Sequence, residues 1–379
     1  MTLKSYFFFI FLLLPSVINS WWFNLISVQD LITQNPTILY QKCFDKFTFN
    51  YQTFPLSINP EIHPNQGSFL ETFILKIPNG TVQSYGTVIV NNQFIQEFIW
   101  KGFVHNLNNI TQLSDNQLIQ VQGTIAVLNQ TACQNYWHWV TETLASLALL
   151  ELQNIEYDYL HIPQFSHFME ETLKLWGIKS EKIINADIYP FCTADQLIIP
   201  SLVSNISIGS VWFACYTQPH LIKYVREKLL TAALQQEPSE KLCSRVFISR
   251  KDAPQRQIIN EDAVFQILEA EGFKRYTLDN LSVTDQILLF HNAEIIICPQ
   301  GTGLANSIFC TEKTKIIELF QGLNDCTFWY LAQILNLNYT PIKTTNFTAD
   351  YAIGWASNTY VPTTIIKKLI QDLKNEKYL

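Results

Sequence analysis

Residues 245–269, RVFISRKDAPQRQIINEDAVFQILE, and residues 294–320, EIIICPQGTGLANSIFCTEKTKIIELF, decide the fold. Each opens with a short run of β-branched and apolar residues, passes through a loop and enters a stretch with helical spacing, which is the unit of a parallel α/β sheet. In the first, Val246-Phe247-Ile248 leads into a loop carrying Arg250 and Arg256, and Asn260-Glu261 opens a helix. In the second, Ile295-Ile296-Ile297-Cys298 runs into Gln300-Gly301-Thr302-Gly303, and Asn306 lies in the helix that follows. Glycines there let backbone N–H groups and a helix N-terminus approach an anion. A third strand, Lys315 to Phe320, carries Glu318 toward its end, where an acidic residue takes ribose hydroxyls in dinucleotide folds. The two loops together read as a nucleotide-diphosphate site, because planar guanidinium forks bind phosphate oxygens bidentately. The competing reading pairs the two arginines with Asp252, Glu261 or Asp262, and Glu318 with Lys315 or Lys343.

With 379 residues, the chain is long enough for two α/β domains with a sizeable core. Only 15% of residues are charged and the net charge is −7, so broad attraction to nucleic acid is excluded and any polyanion must be gripped locally. Turn signals between residues 21 and 120 punctuate alternating segments, the β-meander from Ser68 to Trp100 foremost, and mark a β-rich part. Residues 121–238 alternate strands and helices, with Tyr136 to Leu152 helical. Gln235 to Glu240 reads as a linker, and residues 239–345 form a second α/β unit. Residues 346–379 contain a last helix, Thr363 to Asn375, expected to pack back on the first α/β unit.

Residues 1–20 combine Lys4 with the apolar run Tyr6 to Leu14, the pattern of a signal peptide cleaved after Ser20 or of a signal anchor. Eight cysteines permit disulfides in an oxidising compartment without specifying a pairing, and the absence of any CxxC pair argues against zinc. Sequons begin at Asn79, Asn109, Asn129, Asn205, Asn338 and Asn346. His138 and Glu142 lie four positions apart in the helical stretch and share a face, so both can reach one cleft.

At these residues the chain resembles glycosyltransferase family 61. The matching blocks are Asn135 to Glu142, Ile248-Ser249-Arg250, Arg256, Asn260-Glu261, Ser282 to Ile287, Pro299 to Asn306 and Ile317 to Phe320, in that order. The resemblance spans roughly residues 70 to 345, and the joint order of the blocks is more specific than any one of them. It implies a GT-B architecture, two Rossmann-like domains facing a cleft, and inverting transfer of a sugar from a nucleotide-sugar donor. UDP-xylose and UDP-N-acetylglucosamine are the implied donors, and a hydroxyl of a glycan or glycoprotein is the acceptor. One position departs from the family's pattern, which has a histidine where this chain has Gln300. Glutamine still donates a hydrogen bond but carries no proton charge.

Inverting transfer needs a base for the acceptor hydroxyl and neutralisation of the departing diphosphate. No Asp-x-Asp motif occurs, so no metal cofactor is expected, and neutralisation falls to guanidinium groups, glycine-loop amides and a helix dipole. His138 is read as the base or as an orienting group, Glu142 as its partner or the base itself, with Glu97 and Asp115 as further carboxylates. The donor-binding set comprises Arg250, Arg256, Ser282, Gln286, Gln300, Gly301, Thr302, Gly303, Asn306 and Glu318; Ser282 serves equally as a plain helix N-cap. The alternatives are a catalytically weak glycan- or nucleotide-sugar-binding protein, motivated by Gln300, and a nucleotide-sugar epimerase or hydrolase on the same fold. The implied setting is the ER or Golgi lumen, or secretion, in a eukaryote, and the cell envelope or a membrane anchor in a bacterium.

Overall fold

The computed structural model describes residues 25–56, 66–83, 86–98, 118–128, 132–163, 166–205, 216–320, 326–344 and 357–379. The N-terminal apolar segment, Asp115, Cys215 and the sequons at Asn109, Asn129 and Asn346 lie outside them.

The first half contributes β1 (Leu25–Ile26), α1 (Val28–Gln34), β2 (Leu39–Phe44), β3 (Phe47–Asn50), β4 (Gln66–Phe69), β5 (Thr72–Pro78), β6 (Thr81–Gln83), β7 (Val88–Val90), β8 (Gln93–Ile95) and β9 (Leu118–Val127). It continues through α2 (Tyr136–His138), α3 (Leu144–Leu152), β10 (Tyr159–Ile162), α4 (His167–Trp176), β11 (Ile183–Asn185), β12 (Phe191–Pro200), β13 (Ser204–Asn205), β14 (Tyr216–Thr217) and α5 (Pro219–Ala233). The β-rich segment is not a separate layer. Long β12 pairs antiparallel with β5 and β6 on one side and parallel with β9 on the other, so meander and α/β strands form one ten-stranded sheet. A ten-residue strand has enough length to serve both partners on one edge in succession, with β6 beside Phe191–Thr193 and β5 beside Gln196–Pro200.

The second half comprises β15 (Arg245–Ser249), α6 (Glu261–Glu269), β16 (Lys274–Thr277), α7 (Val283–Asn292), β17 (Ile295–Pro299), β18 (Lys315–Phe320), α8 (Thr327–Leu335), β19 (Asn338–Lys343) and α9 (Thr363–Asn375). Its five strands are all parallel in the order β16-β15-β17-β18-β19. Their near-continuous apolar runs suit a sheet buried on both faces. Period-two alternation divides them. Phe247, Ile297 and Ile317 face Val264 and Leu268 of α6, whereas Val246, Ile296 and Ile316 join Leu288, Ile308 and Leu331 on the other face.

That second face is not closed by its own helices alone. It merges with Trp137, Leu144, Leu147, Leu173, Ile198 and Leu229 of the first half into one continuous apolar cluster. The linker is likewise anchored, as the Ser239 N–H and hydroxyl donate to Asp285 at 2.8 and 2.6 Å. Cys43, Cys133, Cys192, Cys243, Cys298 and Cys310 are free thiols.

One expectation is corrected. Helix α9 does not return to the first half. Its stripe Ile366, Leu369, Ile370 and Leu373 packs with Phe247, Val264, Leu268, Phe273, Ile317 and Leu319, against α6 and the five-stranded sheet. That sheet face would otherwise be left half covered, since α6 is its other helical partner there.

His161 is fully buried in β10, with Nε2 3.0 Å from the Tyr189 carbonyl and Nδ1 without a hydrogen-bond partner. Burial holds its pKa down at about 4, against an ordinary value of 6.5. The unfolded chain therefore binds a proton over that interval and the folded chain does not. The associated stability is complete above pH 6.5 and is lost as pH falls toward 4, a loss of about 3 kcal/mol. Denaturant unfolding measured across this range should show the slope, and His161→Gln should flatten it.

Candidate functional site

Strand order in the five-stranded sheet reverses beside β15. The chain moves from β15 outward to β16 through α6, then crosses back through α7 to β17 on the opposite side. Loops leaving β15 and β17 at their C-terminal ends thus run to opposite faces, and such a point is where open α/β sheets bind ligands. Those two loops are the arginine loop, beginning at Arg250, and the glycine turn, Gln300 to Gly303.

Arg250 is largely buried and differs from the cations Lys251 and Arg275. Lys251 and Arg275 both pair with Asp262, and Arg275 also reaches Glu261. Arg250 has no ion-pair partner among the described residues. One Nη2 bond to the Gln255 carbonyl at 3.2 Å is its hydrogen bond, its buried Nε has none, and burial pulls its pKa down. A desolvated cation without a counter-ion is unfavourable by itself and favours an anion from outside. The guanidinium lies on the Gly301 backbone, where a Cβ would overlap Nη1 and stand 2.8 Å from Cζ. Gly301 has an extended φ of 171°, so the glycine is required for room and not for its dihedral. A Cβ at Gly303 would come within 2.6 Å of Leu278 Cδ1. Thr302 opens a 3₁₀ helix, Thr302–Phe309, with no side-chain cap, leaving its first N–H groups near the guanidinium.

The remaining donor-set residues fall into two groups. Gln300 is fully buried at the end of β17, and Arg256, half-buried, has a φ of 59°. Asn306, Gln286 and Ser282 are built into the scaffold. Asn306 donates to Gln286 Oε1 at 3.0 Å, Gln286 donates to the Leu278 and Leu281 carbonyls, and Ser282 caps α7 by accepting from Asp285 N. Glu318 is buried in β18 beside Cys298 in register and accepts the Tyr339 hydroxyl; Lys315 pairs with Glu376 instead.

In the first half, His138 Nδ1 lies 2.8 Å from Glu142 Oε1, with Glu142 buried and the histidine about 20% exposed. Residues Trp139–Thr143 between α2 and α3 form a π-helical turn, a feature that sequence periodicity does not reveal. Thr217 steadies it by donating to the Thr141 carbonyl at 2.6 Å, and Trp139 Nε1 donates to Thr172 at 2.8 Å. Tyr136, two residues before His138, donates its hydroxyl to Asn306 at 2.7 Å and so fastens this helix to the segment following the glycine turn. A second tie joins Glu171 of α4 to Val283 N at the start of α7. No periodicity or composition signal picks out Tyr136 or Thr217, since each works through a partner distant in sequence.

The second half thus provides a largely buried guanidinium, and the first half an imidazole oriented by a carboxylate. Because the Gly301 contact excludes a methyl group, Gly301→Ala should displace Arg250 and weaken binding of pyrophosphate about tenfold or more, measured by thermal shift.

Residues 136–317 match the family model described as Glycosyltransferase 61, a span that starts at Tyr136 and stops one residue before Glu318. Over 106 residues, 27% of this chain, there is 26% identity to the EGF domain-specific O-linked N-acetylglucosamine transferase of Drosophila melanogaster. The match covers 20% of that relative's length. Among solved structures, alanine racemase of Clostridium difficile 630 aligns over 75% of this chain and 63% of its own at 14% identity, with a TM-score of 0.12.

Proposed function

We propose, for a chain whose residues 136–317 carry a glycosyltransferase family 61 domain, an inverting transfer of a sugar from a UDP-sugar to a hydroxyl of a glycan or glycoprotein. The observation that carries this reading is Arg250, a largely buried guanidinium with no ion-pair partner among the described residues, at the switch point of a parallel sheet. In it the two sheets act as the paired Rossmann-like halves of a GT-B enzyme, residues 121–238 presenting the acceptor and residues 239–345 holding the donor. N-acetylglucosamine, which the relative's name carries, and xylose are the sugars proposed.

The chemistry follows from the groups present. Glu142 accepts from His138 Nδ1, which leaves Nε2 with its lone pair to take the proton of the acceptor hydroxyl. The acceptor oxygen forms its bond to the anomeric carbon from the face opposite the diphosphate, and the C–O bond to the diphosphate breaks with its electrons going to that oxygen. Arg250, with the first N–H groups of the helix after Gly301, neutralises the developing charge, so no metal is required. Arg256 adds a second cation, and Glu318 with its neighbours takes the nucleoside. A lumenal or secreted setting follows from the apolar stretch Tyr6 to Leu14 read as a signal. Among the described residues no helix is long and apolar enough to cross a membrane.

Gln300 motivates the second reading, a nucleotide-sugar-binding protein of weak catalytic power, because a buried amide stands where the family pattern has a titratable ring. Binding of UDP, GDP and CMP in the presence and absence of EDTA tests the donor site. UDP should bind regardless of chelator, and Arg250→Ala should weaken it about tenfold to a hundredfold. Folded protein that binds no nucleotide overturns the reading. Glu142→Gln should lower turnover by about a hundredfold with the donor KM retained, and UDP binding without any transfer favours the second reading.

A further inference from the structure

The arginine loop leaves β15 at Arg250 and re-enters regular structure at Glu261. Within it the backbone reverses at Arg256, whose φ of 59° places a side-chain-bearing residue in the left-handed region. Such a conformation persists where surrounding contacts hold it. Inside the loop, the Gln257 amide donates to the Ala253 carbonyl at 2.7 Å and the Lys251 carbonyl at 3.3 Å.

A second set of contacts comes from about a hundred residues downstream. Residues 358–361 lie along 257–260 as a short parallel strap. Thr359 N donates to the Gln257 carbonyl at 2.8 Å, Ile259 N to the Thr359 carbonyl at 2.7 Å, and Gln257 N to Asn358 Oδ1 at 3.0 Å. Asn260 completes the strap with its side chain, donating from Nδ2 to the Val361 carbonyl at 2.8 Å and accepting from Val361 N at 3.0 Å. Thr359 and Val361 are fully buried, the Thr359 hydroxyl meets that of Thr344 at 3.0 Å, and α9 begins two residues after Val361. The strap is thus held by its buried side chains and by the start of α9.

Asn260 occupies the N-cap position of α6, where an asparagine ordinarily turns its side chain to its own helix. Here no such bond forms, and both functions of the amide go to Val361. The strap fixes residues 257–260, which adjoin Arg256, and one residue before Arg256 the Gln255 carbonyl receives Arg250 Nη2. We propose that Asn260 is a positioning residue: with the strap 358–361 it holds the arginine loop in its anion-binding shape and sets diphosphate affinity without touching the ligand. This rests on the donor-site reading above.

The test is titration of the full chain with UDP and with uridine, comparing wild type, Asn260→Ala and Asn358→Ala, each checked for an intact thermal transition. Asn260→Ala should raise the UDP Kd about tenfold and leave the uridine Kd within about twofold. Asn358 is exposed, so its substitution leaves the core untouched, and loss of its bond to Gln257 N should raise the UDP Kd about threefold with uridine again unchanged. Equal losses of UDP and uridine, or unchanged UDP affinity in both variants, overturn the proposal. Wild-type protein that fails to bind UDP overturns the donor-site reading as well, whereas wild-type binding unaltered by the substitutions overturns only this one.

Discussion

Reversal of strand order between β15 and β17 is the constraint on which the rest of the site depends. The chain after β15 packs α6 on one face and the chain after β17 packs its 3₁₀ helix on the other, so the loops after these two strands part company at one point of the sheet edge. Arg250 and Gly301 stand at that point. A guanidinium held against bare backbone, largely desolvated and with no ion-pair partner among the described residues, is costly in a protein that only has to fold, and useful in one that must bind an anion.

The second half does not work as an isolated sheet. Val246, Ile296 and Ile316 share their apolar cluster with Trp137, Leu144 and Leu229, and two polar ties, Tyr136 to Asn306 and Glu171 to Val283, set the register between the halves. The helix bearing His138 and Glu142 is thereby seated beside the 3₁₀ helix that follows the glycine turn. Asn306 illustrates the cost of this arrangement to a simple ligand role, since its oxygen and its nitrogen are both engaged by protein. The same holds for Gln286 and Ser282, which shape the loop at Leu278 and the start of α7.

Much of this was legible in the chain. Continuous apolar runs at Val246 to Ile248 and Ile295 to Cys298 announce strands buried on both faces, and glycines between such a run and a helix announce a close approach. The i, i+4 spacing of His138 and Glu142 announces a shared face, although the π-helical turn beside them leaves no trace in the pattern. Helix α9 shows the limit. Its stripe is plain in the order Ile366, Leu369, Ile370, Leu373, but an amphipathic stripe specifies only that a partner exists, and α6 with the β15–β19 sheet was the partner left with room.

Local sequence therefore determined the parallel α/β character, the arginine loop and the glycine turn, because periodicity and turn chemistry act over a few residues. Tertiary structure alone decided that the β-rich segment joins the first sheet through β12, that Arg250 has no ion-pair partner among the described residues while Arg275 has two carboxylates, and that Asn260 turns from its own helix to Val361. These outcomes depend on which distant groups compete for the same hydrogen bond or the same apolar face. That competition is settled by packing of the whole chain and is invisible to any window along it.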